Sequence, residues 1–523
     1  MKSFLHRHGQ KILGVLSCFD RIRFRGSLRM LSHVGGTLAW LNSAGVLLKD
    51  FLPFAEKLTE TLRRDTKKLA AEAGRPVHYL ERFVNKEELV RKIREQKGVA
   101  ENGLVAVLST LETSPSYDIY RNREIQQLQL QWRLRRCLHY YFYFDDGKFG
   151  QSQVRLMTWF PFHVHIVLNG REWLAQELDR SGIGYLRRDN CFVNIDDFAR
   201  AQKLGDRQPR IRWPGQLQRL LRRVYPRCGH LQGTANSVDP LPYYWTSEQT
   251  EWATDVAFRD AASLAELYPT LLRRGMESFR SLDVLRFLGH RLPAHGGVHG
   301  KFAGEVVSDL KERPEGIRLK HRAERNTIKM YDKFGSVLRI ETTLNDPKGF
   351  KVLRSKQSDP QGPKEWLPLR KSVADLTRRA TLSQAANQRY LEALGTFDAD
   401  TPLSKLTDKL CRPVQQGKRR HRGLRPFDPE EALLLETISR GEFEIAGFRN
   451  RDIRRALYGE TEDADERRKQ AGRISRRLAM LRAHGLIKKV PRTHRYLCTT
   501  QGRTAITALL AARNANLNQL TAA

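Results

Sequence analysis

Between residues 138 and 168 three stretches rich in apolar residues follow in quick succession: LHYYFYF (138–144), QSQVRLMTW (151–159) and FHVHIVL (162–168). Aromatic and β-branched residues at that density favour strands. Asp145-Asp146-Gly147 and Asn169-Gly170 supply the breaks between elements. A helix over 172–180 and a further strand within 184–195 come next, so the predicted order is strand, strand, strand, helix, strand. Upstream, 38–52 and 54–73 read as helices and 87–97 as a charged helix. GLVAVLST (103–110) is apolar without alternation and reads as a short buried strand, ending at Glu112 before a Ser-Pro-Ser loop. Residues 196–300 read as largely helical, most clearly at 216–224 and 263–274. Strands return over 304–341. Asp359-Pro360 and Gly362-Pro363 make 355–368 a loop, and 371–395 is helical again. No internal repeat and no long low-complexity segment is legible.

The alternation over 326–343 predicts a hairpin turning near Gly335. Ile328 and Met330 alternate with Lys329 and Tyr331, and Leu338 and Ile340 alternate with Arg339 and Glu341. Keeping the apolar sets on one face requires Tyr331 opposite Arg339 and Lys329 opposite Glu341. The other face then gathers Lys, Tyr, Arg and Glu.

Beyond residue 426 the pattern is helix (429–440, with Asp428 as N-cap), helix (451–458), helix (465–484), strand (486–490), turn (491–494), strand (495–500) and a final helix. Ile474, Leu478 and Leu481 form the apolar stripe of the third helix, and Lys469, Arg473, Arg476 and Arg477 recur at three- and four-residue spacing. Lys488, Lys489, Arg492 and Arg495 lie on the hairpin. Three helices running through LRAHGLIKKV into HRYLCTTQGR resemble the winged-helix domain of bacterial transcriptional regulators. The resemblance implies a recognition helix in a DNA major groove and a wing against the backbone. The predicted fold class is α+β and multidomain: an N-terminal mixed region (1–130), a central strand-rich and helical body (131–410), a basic linker (411–426) and the winged helix (427–523).

Composition sharpens the partner. The chain has 523 residues, 92 Lys+Arg and 58 Asp+Glu, and 92 − 58 gives a formal charge of +34. A 40% apolar content excludes a disordered basic tail. So large a positive charge points to nucleic acid: DNA as duplex or single strand, or RNA, where aromatic strands such as LHYYFYF can stack bases. From Arg467 to the end there are 13 Lys/Arg and no acidic residue. Six scattered cysteines include no CxxC, and Cys228 with His230 makes no four-ligand zinc site. No run approaches a membrane span, and 1–25 lacks a cleavage signal. A cytoplasmic, nucleoid-associated protein without a membrane partner is expected. No Walker-type loop occurs, so no nucleotide cofactor is expected.

The candidate chemistry is phosphodiester cleavage. A Tyr hydroxyl can attack phosphorus, Arg and Lys can lower its pKa and stabilise the transition state, and Glu can hold a metal. IKMYDK…LRIE resembles a segment of rolling-circle replication initiators, which implies Tyr331 as nucleophile and Glu341 as a metal ligand, with Lys329 and Arg339 beside them. His163-Val-His165 places two imidazoles on one strand face, like the His-hydrophobic-His endonucleases. A third arrangement draws on the strand-strand-strand-helix-strand order, the opening of an RNase H-like nuclease or transposase core. There Asp146 (or Asp145), Asp189 and Glu251, the last on a later helix, would hold Mg²⁺ or Mn²⁺. Asp20 and Glu112 are carboxylates without a role. The expectation is a metal-dependent DNA strand-processing factor of mobile-element or replication-initiator type. The alternatives are a non-enzymatic winged-helix regulator and an RNA-binding protein.

Overall fold

In the computed structural model the described residues are 1–81, 84–98, 103–225, 243–290, 305–356, 358–396, 403–417, 419–491 and 493–516. The protein is a mixed α+β structure built on one large sheet. Its strands are β1 (Ile12–Ser27), β2 (Val77–Tyr79), β3 (Leu104–Asn122), β4 (Gln127–Asp146), β5 (Gly150–Met157), β6 (Val164–Asn169), β9 (Tyr244–Phe258), β10 (Val306–Arg313), β11 (Gly316–Ala323), β12 (Asn326–Lys333) and β13 (Val337–Leu344). Two further strands, β7 (Tyr185–Arg188) and β8 (Cys191–Ile195), pair only with each other. The spatial order is β10-β11-β12-β13-β9-β1-β6-β5-β4-β3-β2. All neighbours are antiparallel except β2 and β3.

That order contains a repeat of topology which the sequence does not display. β1 is followed by helices Val34–Ser43 and Phe51–Glu72, then by β2 and a third helix, Lys86–Lys97, and by the meander β3 to β6, whose last strand returns to pair with β1. β9 is followed by two helices, Ala261–Glu277 and Ser281–Leu288, and by the meander β10 to β13, whose last strand returns to β9. The two halves join where β1 pairs with β9.

Several expectations are corrected. The boundary near 130 falls inside β4, because strands on both sides of it, β1 to β6 and β9 to β13, share one sheet. The segment holding Glu251 is the central strand β9, not a helix. From Thr250 to Phe258 its residues are buried on both faces, so the two-residue alternation that marks a half-exposed strand is hidden there. β3 runs straight through Ser114-Pro115-Ser116. Beyond Ser109 it pairs only with β4, and a free edge tolerates proline. The order β4, β5, β6, helix Gly170–Arg180, β7 is present, yet β7 leaves the sheet for its ribbon with β8, so an RNase H-like core is not formed. Within the expected linker Val414–Gln416 pairs with Arg419–His421, and Leu424, with Leu410 just before it, is buried in the C-terminal apolar cluster.

That cluster is separate from those packed on the sheet. It joins helices Pro429–Ile438, Asn450–Tyr458, Ala464–Ala483 and Thr500–Asn514 through Leu435, Ile453, Ile474, Leu478, Leu481 and Leu509. A short helix, Gly441–Ala446, was not legible in the sequence. The hairpin Ile487–Lys489 with Tyr496–Cys498 follows the long basic helix. Asp428 caps the first helix by accepting from the N–H groups of Glu430 and Glu431.

The central strands define the site. On one face, Trp252, Thr254 and Thr342 meet helix Leu376–Thr396, where the Asn387 side chain bonds the Trp252 carbonyl and the Thr342 hydroxyl. The alternate residues Glu251, Asp255, Arg339 and Glu341 project from the opposite face. The β7–β8 ribbon covers part of that face, packing Cys191 and Val193 on Ala257 and Val337. Beside the ribbon a cleft stays open.

Candidate active site

The cleft holds about 690 Å³ and is lined by Asp20, Glu251, Lys329, Tyr331, Arg339 and Glu341 among others. Three adjacent strands bring its carboxylates together. Glu251 comes from β9 and Glu341 from β13, two residues along from the cross-strand partner of Glu251. Asp20 comes from a bulge in β1: the register passes from Phe19 opposite Trp252 to Arg21 opposite Glu251, leaving Asp20 as the extra residue. A bulge re-aims a side chain. Here it lets Phe19, Ile22 and Phe24 all enter the core while Arg21, Arg23 and Arg25 take the other face. One ligand oxygen from each of Asp20, Glu251 and Glu341 lies within 4.8 Å of the others, and all three residues are buried.

Each carboxylate has a cation beside it. Lys329 Nζ lies 2.5 Å from Glu341 Oε1, Arg21 Nη2 lies 2.9 Å from Glu251 Oε1, and Arg339 Nη1 lies 3.4 Å from Asp20 Oδ1. Burial, with the Glu341 charge beside it, pushes the Glu251 carboxyl above the usual range. Burial also pushes Asp20 up, outweighing the pull of Arg339. Burial acts on Glu341 too, but Lys329 outweighs it and holds Glu341 below the usual range. Three buried carboxylates at this spacing form an oxygen donor set that suits a hard divalent cation, and such a cation would compete with protons for the two raised groups.

Sequence reasoning placed Tyr331, Lys329, Arg339 and Glu341 together. The structure pairs Tyr331 with Arg339 and Lys329 with Glu341, the register that alternation requires. Two roles change. Arg339 is fully buried: Nε and Nη2 donate to Asp255 at 2.7 and 2.9 Å, and Nη2 donates to the Asn190 carbonyl at 2.8 Å. It is a positioning residue beneath Asp20. The Tyr331 phenol was expected to have a lowered pKa. Burial and then the Glu341 charge instead hold it above its ordinary value, outweighing Lys329 and Arg318.

The proposed trio Asp146, Asp189 and Glu251 does not converge. Asp146 lies outside the cleft, gripped by Arg219 at 2.7 Å and Arg223 at 3.0 Å while accepting from the Lys148 and Phe149 N–H groups of the turn. Burial pushes its carboxyl up, but those partners outweigh it and keep it low. Asp189 lines the rim with an exposed side chain, at a left-handed position (φ 50°) of the β7–β8 turn. Its neighbour Asn190 makes the contact inward, donating to both Asp20 oxygens at 3.1 Å. Glu251 alone of the three belongs to the cluster. Asp20 and Asn190 were missed as site residues, as were the buried Asp255 behind them and Arg171, whose Nη2 lies 3.1 Å from Asp255 Oδ2. The one legible signal was the Phe-Asp preceding the alternating IRFR run.

The two histidines do not form a ligand pair. Arg25 Nη2 lies 2.5 Å from His163 Nε2, and His165 Nε2 lies 3.2 Å from Glu248. Burial and the Arg25 charge push His163 down to about 3. Glu112 accepts from Tyr141 and Arg155, away from the cleft.

On the C-terminal helix Ala464–Ala483, Lys469, Arg473 and Arg476 are exposed, as are Lys488 and Lys489 on the hairpin. Arg477 is mostly covered and paired with Glu430. Arg495 turns inward. Its Nη2 donates to the Gly447 carbonyl at 2.6 Å, and its guanidinium lies 5.5 Å from the Trp366 ring centroid, so it braces the fold rather than facing a partner. Arg492, Cys228 and His230 lie outside the described residues. Among the described residues no helix is long and apolar enough to cross a membrane.

Comparison with family models, with curated proteins and with solved structures finds no match.

Proposed function

We propose that this chain is a metal-dependent DNA strand-processing enzyme of mobile-element or replication-initiator type, with Tyr331 as nucleophile. The observation that carries the reading is the convergence of Asp20, Glu251 and Glu341 in the cleft that also holds Tyr331 and Lys329. A Mg²⁺ or Mn²⁺ ion on those carboxylates would stabilise charge at the scissile phosphate. Tyr331 Oη attacks phosphorus and forms a phosphotyrosyl ester. One P–O ester bond of the strand breaks, and the phenolic proton ends on the released sugar hydroxyl. Lys329 sits where charge develops, and Arg339 with Asn190 fixes Asp20.

The C-terminal unit supplies the grip on duplex. Its helix-to-hairpin order and the exposed Lys469, Arg473, Arg476, Lys488 and Lys489 support a winged helix, with the basic helix in the major groove and the hairpin against the backbone.

The test is a covalent-adduct assay with labelled single-stranded DNA and Mg²⁺ or Mn²⁺. Wild type is expected to yield a protein–DNA adduct, and Tyr331→Phe to bind without forming one. An adduct that persists in Tyr331→Phe removes Tyr331 as nucleophile. Cleavage without adduct, lost in Asp20→Asn and Glu251→Gln, points to attack by water. Absence of cleavage in every metal, with protection of a defined duplex, favours the regulator.

A further inference from the structure

The cleft continues into a row of cations along β1. Past the bulge, every second residue on the open face is arginine: Arg21, Arg23 and Arg25, with side chains 57%, 40% and 36% exposed. Two residues of strand advance the chain by about 6.7 Å, a separation of the order of that between successive phosphates in an extended nucleic-acid strand. Arg21 starts the row at the carboxylate cluster, 2.9 Å from Glu251. Arg23 and Arg25 share a single carboxylate, Glu248, at 3.5 and 3.6 Å, and His165 leans on the same group. One acid therefore serves two guanidinium groups, which leaves excess positive charge on an open surface. Further along, Arg29 is exposed over the Tyr244 ring, 4.1 Å from its centroid.

We propose that Arg23 and Arg25 form a track for the phosphodiester backbone of an extended nucleic-acid strand, guiding it to the carboxylate cleft. The proposal rests on reading that cleft as a phosphodiester-processing site. The guanidinium fork suits phosphate oxygens, and exchanging a shared carboxylate for two phosphates relieves the sharing. The track also accounts for part of the body's positive charge, which the C-terminal unit alone does not.

The test uses the full chain in EDTA, so that binding is read without chemistry. Anisotropy of a labelled oligonucleotide of about 12 nucleotides, single-stranded or duplex, is followed against KCl. For the single strand, Arg23→Gln with Arg25→Gln is expected to flatten the slope of log K on log salt by about 1.4, two contacts at roughly 0.7 each, and to cost at least about tenfold in affinity at 0.1 M salt. Glu248→Gln removes the competing carboxylate and is expected to tighten binding, a gain that a merely salt-bridged surface does not give. Unchanged slope and affinity in the double variant overturn the track. A loss confined to the duplex overturns the extended-strand assignment. The two readings fail separately: a flattened slope in a protein that never forms an adduct keeps the track and removes the chemistry. An adduct with an unchanged slope does the reverse.

Discussion

Glu251→Gln separates a metal centre from a buried ion-pair network by the sign of its effect. Glu251 is 4% exposed, and its partner Arg21 is more than half exposed. Were the carboxylates there to hold the sheet together, removing one partner of a buried pair would cost about 3–5 kcal/mol. The structure argues otherwise, because burial and the Glu341 charge already disfavour the ionised form. Neutralising it removes a repulsion and releases Arg21 to water. In EDTA at pH 8 the variant is therefore expected to match wild type or exceed it by up to about 1 kcal/mol, less than one pKa unit's worth. With metal at a hundred times its Kd, wild type gains about 2.7 kcal/mol. For the sheet body, whose core spans residues 4–394, an unfolding entropy of about 0.8 kcal/mol/K turns that gain into roughly 3 °C. Glu251→Gln is expected to lose most of this shift.

The sign with pH follows from the same groups. Asp20 and Glu251 have raised folded values, so their contribution to apo stability is full at low pH and is lost as pH rises through those values. Metal competes with the same protons, so the metal-induced shift grows with pH from about 4.5 upward. Glu341, held low by Lys329, contributes above the ordinary carboxylate value and fails only in stronger acid. Thermal melts in EDTA and in Mn²⁺ between about pH 3 and 8.5 read all of this. A variant that keeps the full Mn²⁺ shift, or that falls by 3 kcal/mol or more in EDTA, refutes the metal-centre reasoning.

Arg339→Met leaves Asp255 and Asp20 buried beside one cation fewer, and denaturant unfolding is expected to show a loss of about 3–5 kcal/mol. Arg473→Ala with Arg476→Ala should flatten the salt dependence of duplex binding by about 1.8 in slope, measured by anisotropy, with unfolding unchanged. Arg495→Ala should do the opposite, leaving that slope alone while costing about 1–3 kcal/mol of stability through the unsatisfied Gly447 carbonyl and lost packing on Trp366.

Local pattern made the β12–β13 hairpin legible down to its register, because one face is apolar and a one-residue slip would bury Lys329 and Glu341 in the core. The same logic failed on β9. A strand between two others, covered on both faces, carries Trp252 and Thr254 on one side and Glu251 and Asp255 on the other, all buried. Polar residues in a core blur the period that would have marked the strand. The repeat of topology was invisible for a related reason. Each half needs only a long strand, two helices and a returning meander, and different side chains meet that need, with β2 and helix Lys86–Lys97 added to the first half.

The site shows where reading along the chain ends. Tyr331, Lys329 and Glu341 lie within twelve residues of one another and one hairpin delivers them, so periodicity sufficed. Asp20 lies 231 residues from Glu251, and only the β1–β9 pairing joins them. Its inward aim depends on a bulge that no alternation predicts. The carboxylates chosen from sequence, Asp146 and Asp189, sat at strand ends, where turns also put aspartate. Asp146 is indeed a turn cap held by two arginines. A turn aspartate is satisfied by its own neighbours, whereas Asp20, Glu251 and Glu341 are buried together with raised or strongly opposed titration. A divalent cation held there, as proposed, would offset that cost.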